Sequence, residues 1–87
     1  MTPTELTAGL RRIARESEDV AVTQEAQAAA CRPEYERCLA TATPATHERA
    51  LELYPYVIPP ERDAVKLRAD AALLRAAAEL IEKMRLP

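Results

Sequence analysis

The sequence predicts an all-α protein, a small antiparallel helical bundle of four to five helices with a long C-terminal helix at about 61–85. Prolines mark the helix starts, since Pro3, Pro33, Pro44 and Pro60 are each followed within four residues by glutamate. Proline suits the first helical position because its missing N–H would find no partner there, and carboxylates just behind it meet the positive end of the helix dipole. Apolar residues at three- and four-residue spacings are the second observation that predicts helices.

The first helix begins at residues 2–5, where Thr-Pro-Thr-Glu is a capping box with proline at the first helical position. Apolar residues then recur on one face. A polar patch and two valines at 17–23 weaken helix propensity and favour a break, after which Thr23 caps a second helix. The alternative is one helix that runs to about Cys31.

Prolines divide the middle of the chain. Pro33 disfavours helical geometry at the residue before it, so a short helix is expected at 33–42. Residues 43–44, Thr-Pro, repeat the cap-plus-proline signal and open the next helix. The segment 54–60, Tyr-Pro-Tyr-Val-Ile-Pro-Pro, is expected to be a non-helical connector, because its three prolines remove backbone donors and fix φ.

Residues 61–85 form the longest predicted helix, and Asp70 is its most misplaced polar residue. An unpaired carboxylate inside the apolar arc would be costly. Either Lys66, one turn earlier, neutralises Asp70 at the rim of the core, or Asp70 is an interface charge that meets an arginine on a partner. The arc spans about 140° at 100° per residue and contains Leu67, Leu73, Leu74, Ala77, Leu80, Ile81 and Met84.

Residues 1–87 are expected to form a single domain with a limited core. Alanine is the commonest residue, Phe and Trp are absent, and the large aliphatic residues are ten Leu, three Ile and four Val. Burying one large side chain stabilises by roughly 1.5–3 kcal/mol, whereas ordering the chain costs about 1–2 kcal/mol for every residue. A core with so few large side chains therefore barely offsets the entropy of the whole chain. We therefore expect a homodimer, or a partner that completes the core.

Charge and hydropathy argue against several classes of protein. The net charge of −2 gives no bulk attraction to nucleic acid. No stretch approaches the ~20 apolar residues of a membrane span. The N-terminus is acidic where a signal peptide would be basic and then apolar, so a cytoplasmic location is expected.

The residue types do not favour catalysis, and we expect no enzyme activity, no cofactor and no metal. His47 is the only histidine and Gly9 the only glycine, so no glycine-rich loop could hold a phosphate. Six residues, one of them a proline, separate Cys31 from Cys38, unlike the tight pairs of structural zinc sites. We interpret both as free thiols in a helical core.

Residues 23–30, Thr-Gln-Glu-Ala-Gln-Ala-Ala-Ala, followed by Pro-Glu-Tyr at 33–35, resemble the helix-turn-helix of repressor-like DNA-binding domains. The resemblance implies a DNA-binding transcriptional regulator, which is the alternative function. The turn at 31–32 is shorter than in that family and lacks its usual glycine. Glu34 and Glu36, at the start of the helix that would read the DNA, would place carboxylates towards phosphates. Base readout favours Arg, Asn or Gln at such positions.

The predicted binding surface combines the proline-rich connector with charged outer faces. Tyrosine is enriched in interface hot spots, although these side chains could instead cap the open end of the bundle. Three arginines on the outer side of the first helix would meet an acidic surface of a partner, or form a solvated face. The predicted protein-binding residues are Tyr54, Tyr56, Val57, Ile58, Asp70, Arg11, Arg12 and Arg15.

We therefore expect a non-enzymatic protein–protein interaction module. In its size, its alanine-rich core and its lack of catalytic motifs, the chain is similar in type to accessory proteins of phages and other mobile elements. Among those, inhibitors of host defence complexes such as anti-CRISPR proteins act by stoichiometric binding. The similarity implies one stoichiometric protein partner.

Overall fold

In the computed structural model, which describes residues 1–84, two long α-helices run antiparallel to each other. Helix α1 spans Pro3–Thr41 and helix α2 spans Pro44–Met84. The hairpin is 67 Å long and 15 Å across, with a radius of gyration of 19.2 Å, whereas a compact domain of this length has about 12 Å. The all-α prediction is confirmed, but the protein is one helical hairpin and not a bundle of four to five helices.

Two predicted helix starts are present where a threonine precedes a proline. Thr2 Oγ1 accepts a hydrogen bond from the Glu5 N–H at 3.1 Å. Thr43 Oγ1 accepts one from the Thr46 N–H at 3.2 Å. These contacts satisfy donors that have no partner within the first turn of a helix.

The chain reverses direction at Ala42 and Thr43. Ala42 adopts a left-handed conformation with φ of 52°, and its N–H donates to the Cys38 carbonyl at 3.3 Å. A left-handed residue commonly ends a helix in this way. The connection is therefore short enough to place α2 directly alongside α1.

The predicted interruptions of the first helix are wrong. Helix α1 is continuous through 17–23 and through Pro33, so neither the break nor a separate helix at 33–42 exists. A proline inside a helix removes one backbone hydrogen bond and tends to bend the axis, yet packing on both sides can hold the helix together. Ala28 and Cys38, on either side of Pro33, are both buried.

The segment 54–60 is helical, which contradicts the non-helical connector and moves the start of the C-terminal helix from 61 to Pro44. Three prolines lie inside this part of α2. Val57 and Pro60 are buried here, and their packing between the helices offsets the lost backbone hydrogen bonds. The predicted helix end at Arg85 lies outside the described residues.

The interface between the helices is built mainly from alanine at seven-residue intervals. A seven-residue repeat keeps one seam of each helix facing the other in a left-handed coiled coil, and small side chains allow close approach. Val57 is the only large side chain that is fully buried in residues 1–84. The series of buried positions is Thr7, Ala14, Ala21 and Ala28 on α1, and Ala50, Val57, Ala64, Ala71 and Ala78 on α2.

Larger side chains enter the interface near the connection. Cys38, Ala50 and Leu53 form a buried cluster, and Cys31 and Tyr35 pack against it. Both cysteines are free thiols, as predicted, with Cys38 buried and Cys31 half-buried.

In the described part of the chain, neither helix is apolar enough along its length to cross a membrane.

Candidate protein-binding surface

Large aliphatic side chains lie on the outside of the hairpin at its open end, the half that contains residues 1–20 and 66–84. On α1, Leu6, Ile13 and Val20 are seven residues apart and are 40%, 45% and 47% exposed. Each immediately precedes a buried position of the alanine series, and a rotation of about 100° per residue turns it to the edge of the interface. On α2, Leu73 and Leu80 are also seven residues apart and are 70% and 59% exposed.

The two series face the same side of the hairpin. A groove of about 430 Å³ is lined by Ile13 and Ser17 of α1 and by Asp70, Leu73 and Leu74 of α2. Residues one heptad away lie on the same side of their own helix. We call Leu6, Ile13, Val20, Leu73 and Leu80 together the apolar surface.

Asp70 lies at the boundary of the apolar surface. Its side chain is exposed, and it lines a second groove that also includes Asp63 and Lys66. Within the described residues it forms no ion pair, so the predicted pairing with Lys66 at a core rim is not formed. A role for Asp70 as an interface charge stays a prediction.

The opposite edge of the hairpin carries a ladder of ion pairs between the helices. Its α1 members are seven residues apart, and their α2 partners step back by seven, as expected for an antiparallel pair. Arg68 Nε donates to Glu25 Oε1 at 2.7 Å, and Arg32 Nε donates to Glu61 Oε1 at 2.6 Å. The four pairs of the ladder are Arg11–Glu82, Glu18–Arg75, Glu25–Arg68 and Arg32–Glu61.

The order of charges in the ladder specifies the register of the hairpin. Along α1 the signs run plus, minus, minus, plus, and the facing residues of α2 carry the opposite signs. A slip by one heptad would place Arg11 opposite Arg75 and Glu25 opposite Glu61. Like charges directly opposite each other destabilise a pairing, so the slipped registers are disfavoured.

Two arginines of the ladder are held in their charged form by these contacts. The hydrogen bond from Arg11 to Glu82 raises the pKa of Arg11. Hydrogen bonds to Glu61 and then Glu36 raise the pKa of Arg32. The guanidinium groups of Arg11 and Arg32 therefore stay charged at every pH at which the protein would be handled.

A further ion pair lies near the connection, on the same edge of the hairpin as the apolar surface. Arg49 donates from Nε and Nη2 to the two carboxylate oxygens of Glu34 at 2.9 and 3.0 Å. This hydrogen bonding lowers the pKa of Glu34. Glu34 continues the heptad series of Leu6, Ile13 and Val20, so the same edge is apolar at the open end and charged at the connection.

The predicted arginine surface is divided between three environments. Arg11 belongs to the ladder, and Arg12 lies 4.0 Å from Glu16 on the same helix. Arg15 is exposed and lines a groove of about 480 Å³ with Arg75. A role for Arg11, Arg12 and Arg15 in binding an acidic partner stays a prediction.

The predicted tyrosine-proline contact residues do not share one surface. Val57 is fully buried and Ile58 is half-buried. Tyr54 and Tyr56 are 41% and 52% exposed. Residues two positions apart in a helix are rotated by about 200° from each other, so the two tyrosines point to opposite edges. Val57 contributes to packing between the helices, and the binding roles of the two tyrosines stay predictions.

The helix-turn-helix resemblance is not matched by the local structure. Residues 23–35 lie inside α1, and no turn occurs at 31–32. His47 is exposed in the first turn of α2. Among residues 1–84, no group of three or more His, Cys, Asp and Glu side chains is placed to hold a metal ion.

The predicted apolar arc of the last helix mixes half-buried residues with residues that lie on the outside of the hairpin. Leu73 and Leu80 fell inside the predicted arc, which was expected to face a bundle core. The missed signal is alanine at every seventh position, as at Ala64, Ala71 and Ala78, because this repeat marks the true interface. Leu73 and Leu80, each two residues after an alanine of this repeat, therefore lie outside.

No protein-family model, no curated protein and no solved structure matches this chain.

Proposed function

We propose that this chain is a non-enzymatic protein-binding module that acts through the apolar surface at the open end of the hairpin. The observation that supports this is the inverted distribution of side chains. Alanine fills most of the buried positions between the helices, whereas the five leucine, isoleucine and valine side chains of the apolar surface are 40–70% exposed on one side of the interface. Contiguous exposed apolar residues with a polar boundary are typical of protein interaction sites.

The proposal gives the two edges of the hairpin different roles. The ion-pair ladder fixes the register of α1 against α2, and this register aligns Ile13 with Leu73 across one groove. The ladder thereby presents the apolar surface as one continuous strip made by both helices. A helix face laid against this strip would bury its leucines in the manner of a helical bundle.

The similarity in type to phage accessory proteins extends this proposal to a particular mode of action. An anti-CRISPR-like inhibitor acts by stoichiometric binding to a host complex, and this mode of action requires a rigid surface and no catalytic group. A rod held by four interhelical ion pairs supplies such a surface.

Affinity capture with matched variants tests the proposal. The bait is the tagged chain, and an untagged copy is co-expressed so that self-association is detected as well. We expect a stoichiometric polypeptide to be retained by the wild type and lost with Leu80→Asp. Leu51→Asp is the control, because Leu51 is a leucine of the same helix with nearly the same exposure, 61% against 59%, and lies outside the apolar surface.

Two outcomes would contradict the proposal. One is retention of the same polypeptide by the wild type and by Leu80→Asp. The other is co-purification of nuclease-sensitive nucleic acid with no stoichiometric polypeptide, which would favour a DNA-binding regulator.

A further inference from the structure

We infer that the occupant of the apolar surface is a second copy of this chain, so that two hairpins form a four-helix assembly through their open ends. This inference rests on the proposed binding function and deepens it by naming the partner. Three observations carry it: the area left accessible, the composition of the core and the charges at the boundary of the surface.

The hairpin leaves more surface accessible than a folded monomer of its size. Its accessible surface is 6176 Å² for a mass of 9.6 kDa. A monomeric protein of that mass exposes about 5,100 Å² by the usual size scaling. The observed 6176 Å² exceeds this expected value by about 1,100 Å², which is comparable to the ~800 Å² that each partner contributes to a standard stable interface.

The core of a single hairpin lacks the large side chains that usually stabilise a domain. Apart from Leu53, Val57 and Pro60, the buried positions of the interface in residues 1–84 hold only small side chains. A second copy would convert the exposed Leu6, Ile13, Leu73 and Leu80 into the central layers of a four-helix bundle. Because both helices contribute to the surface, a two-fold axis brings like apolar side chains together, as in an isologous homodimer interface.

The charges at the boundary suit a copy of the same chain better than a strongly charged partner. Lys66 and Asp70 have opposite signs and lie one helical turn apart, and neither forms an ion pair within the described residues. A partner of one predominant charge would meet repulsion from one of them. Two identical hairpins present the same mixed pair to each other.

The position of the two-fold axis follows from where the apolar surface ends. Towards the connection, the same edge carries the Glu34–Arg49 ion pair, which a dimer contact would have to desolvate. The axis therefore lies in the open half, and the connections of the two copies stay outside the contact.

Sedimentation equilibrium at low to high micromolar concentration tests this inference on the full chain. We expect a mass of twice 9.6 kDa at high micromolar concentration. Leu80→Asp should raise the dissociation constant at least tenfold, and Leu51→Asp should leave it unchanged. Circular dichroism checks that each variant keeps its helices. Should Leu80→Asp lose helicity, Leu73→Asp and its control Val65→Asp replace the pair, since these residues are 70% and 72% exposed.

Three results would overturn the dimer. The first is a monomer at every concentration. The second is an equal effect of Leu80→Asp and Leu51→Asp on the dissociation constant. The third is a higher oligomer that Leu80→Asp does not dissociate.

The capture experiment separates failure of the dimer from failure of the binding proposal. A monomeric chain that still retains another polypeptide through Leu80 would overturn only the identity of the partner. A monomeric chain for which Leu80→Asp changes no binding would overturn both.

Discussion

Arg32 of α1 and Glu61 of α2 form a bidentate ion pair across the hairpin, with both Nε and Nη2 of the guanidinium directed at the carboxylate. The contact joins residues 29 positions apart in the sequence. Arg32 also donates from Nη1 to Glu36 on its own helix at 2.9 Å. It thus ties the last rung of the ladder to the helix that carries it, close to where sequence patterns predict a helix end.

The register of the hairpin should depend on the sign of each pair in the ladder. Arg68→Glu places a carboxylate opposite Glu25 and should lower the free energy of unfolding. The double variant Glu25→Arg, Arg68→Glu should restore most of it. The coupling energy expected from urea denaturation of the four proteins is about 0.2–1 kcal/mol, the range for exposed pairs. Independent effects of the two changes would contradict a direct pair.

Replacement of Pro55 should distinguish a helix from an extended connector by the sign of its effect. Pro55 is exposed inside α2, where proline is less favourable than alanine by up to about 3 kcal/mol. Pro55→Ala should therefore raise the free energy of unfolding and the helical content. In an extended connector the same change would destabilise by about 0.4–1 kcal/mol, because it frees the unfolded chain.

Close approach of the helices at the alanine series should make Ala71 sensitive to size. Ala71 is 1% exposed, and its neighbour Ala72 is exposed. Ala71→Leu should destabilise by about 1–3 kcal/mol, as overpacking does, whereas Ala72→Leu should be nearly neutral. Thermal unfolding of both variants measures the difference. Equal tolerance at the two sites would mean that the helices do not meet at Ala71.

The Glu34–Arg49 pair should make the connection end sensitive to acid. The pKa of Glu34 is lowered in the folded protein by its hydrogen bonds from Arg49. Its contribution to stability is therefore complete above the ordinary glutamate pKa of about 4.3 and is lost as pH falls through the lower folded value. Glu34→Gln should remove that part of the pH dependence of Tm. An NMR titration that gives Glu34 a pKa at or above the ordinary value would contradict the pairing.

Local signals in the sequence predicted both true helix starts but also predicted starts at Thr23, Pro33 and Pro60 that do not exist, so the predicted number of helices was wrong. The threonines before Pro3 and Pro44 cap helices as expected, because capping depends only on the adjacent residues. Pro33 and Pro60 do not start helices, because packing between two long helices holds them inside. Such packing depends on residues far apart in the sequence.

The apolar surface was predictable in part of its membership and not in its orientation or its role in binding. A wheel at 100° per residue placed Leu73 and Leu80 in one apolar arc, and both lie on the apolar surface. It could not tell whether that arc faces the other helix or a second molecule. The seven-residue spacing of Ala64, Ala71 and Ala78 decides this, because helices approach each other most closely where their side chains are small.

The rate at which a thiol at position 73 is alkylated tests most directly whether the apolar surface is covered. Leu73→Cys and the matched control Val65→Cys replace side chains that are 70% and 72% exposed in the single hairpin. Peptide mapping by mass spectrometry separates the introduced thiols from Cys31 and Cys38. At high micromolar concentration, the thiol at 73 should react at least tenfold more slowly than the thiol at 65, and dilution should remove the difference. Equal rates at every concentration would contradict the conclusion that this surface is a binding site for a second copy.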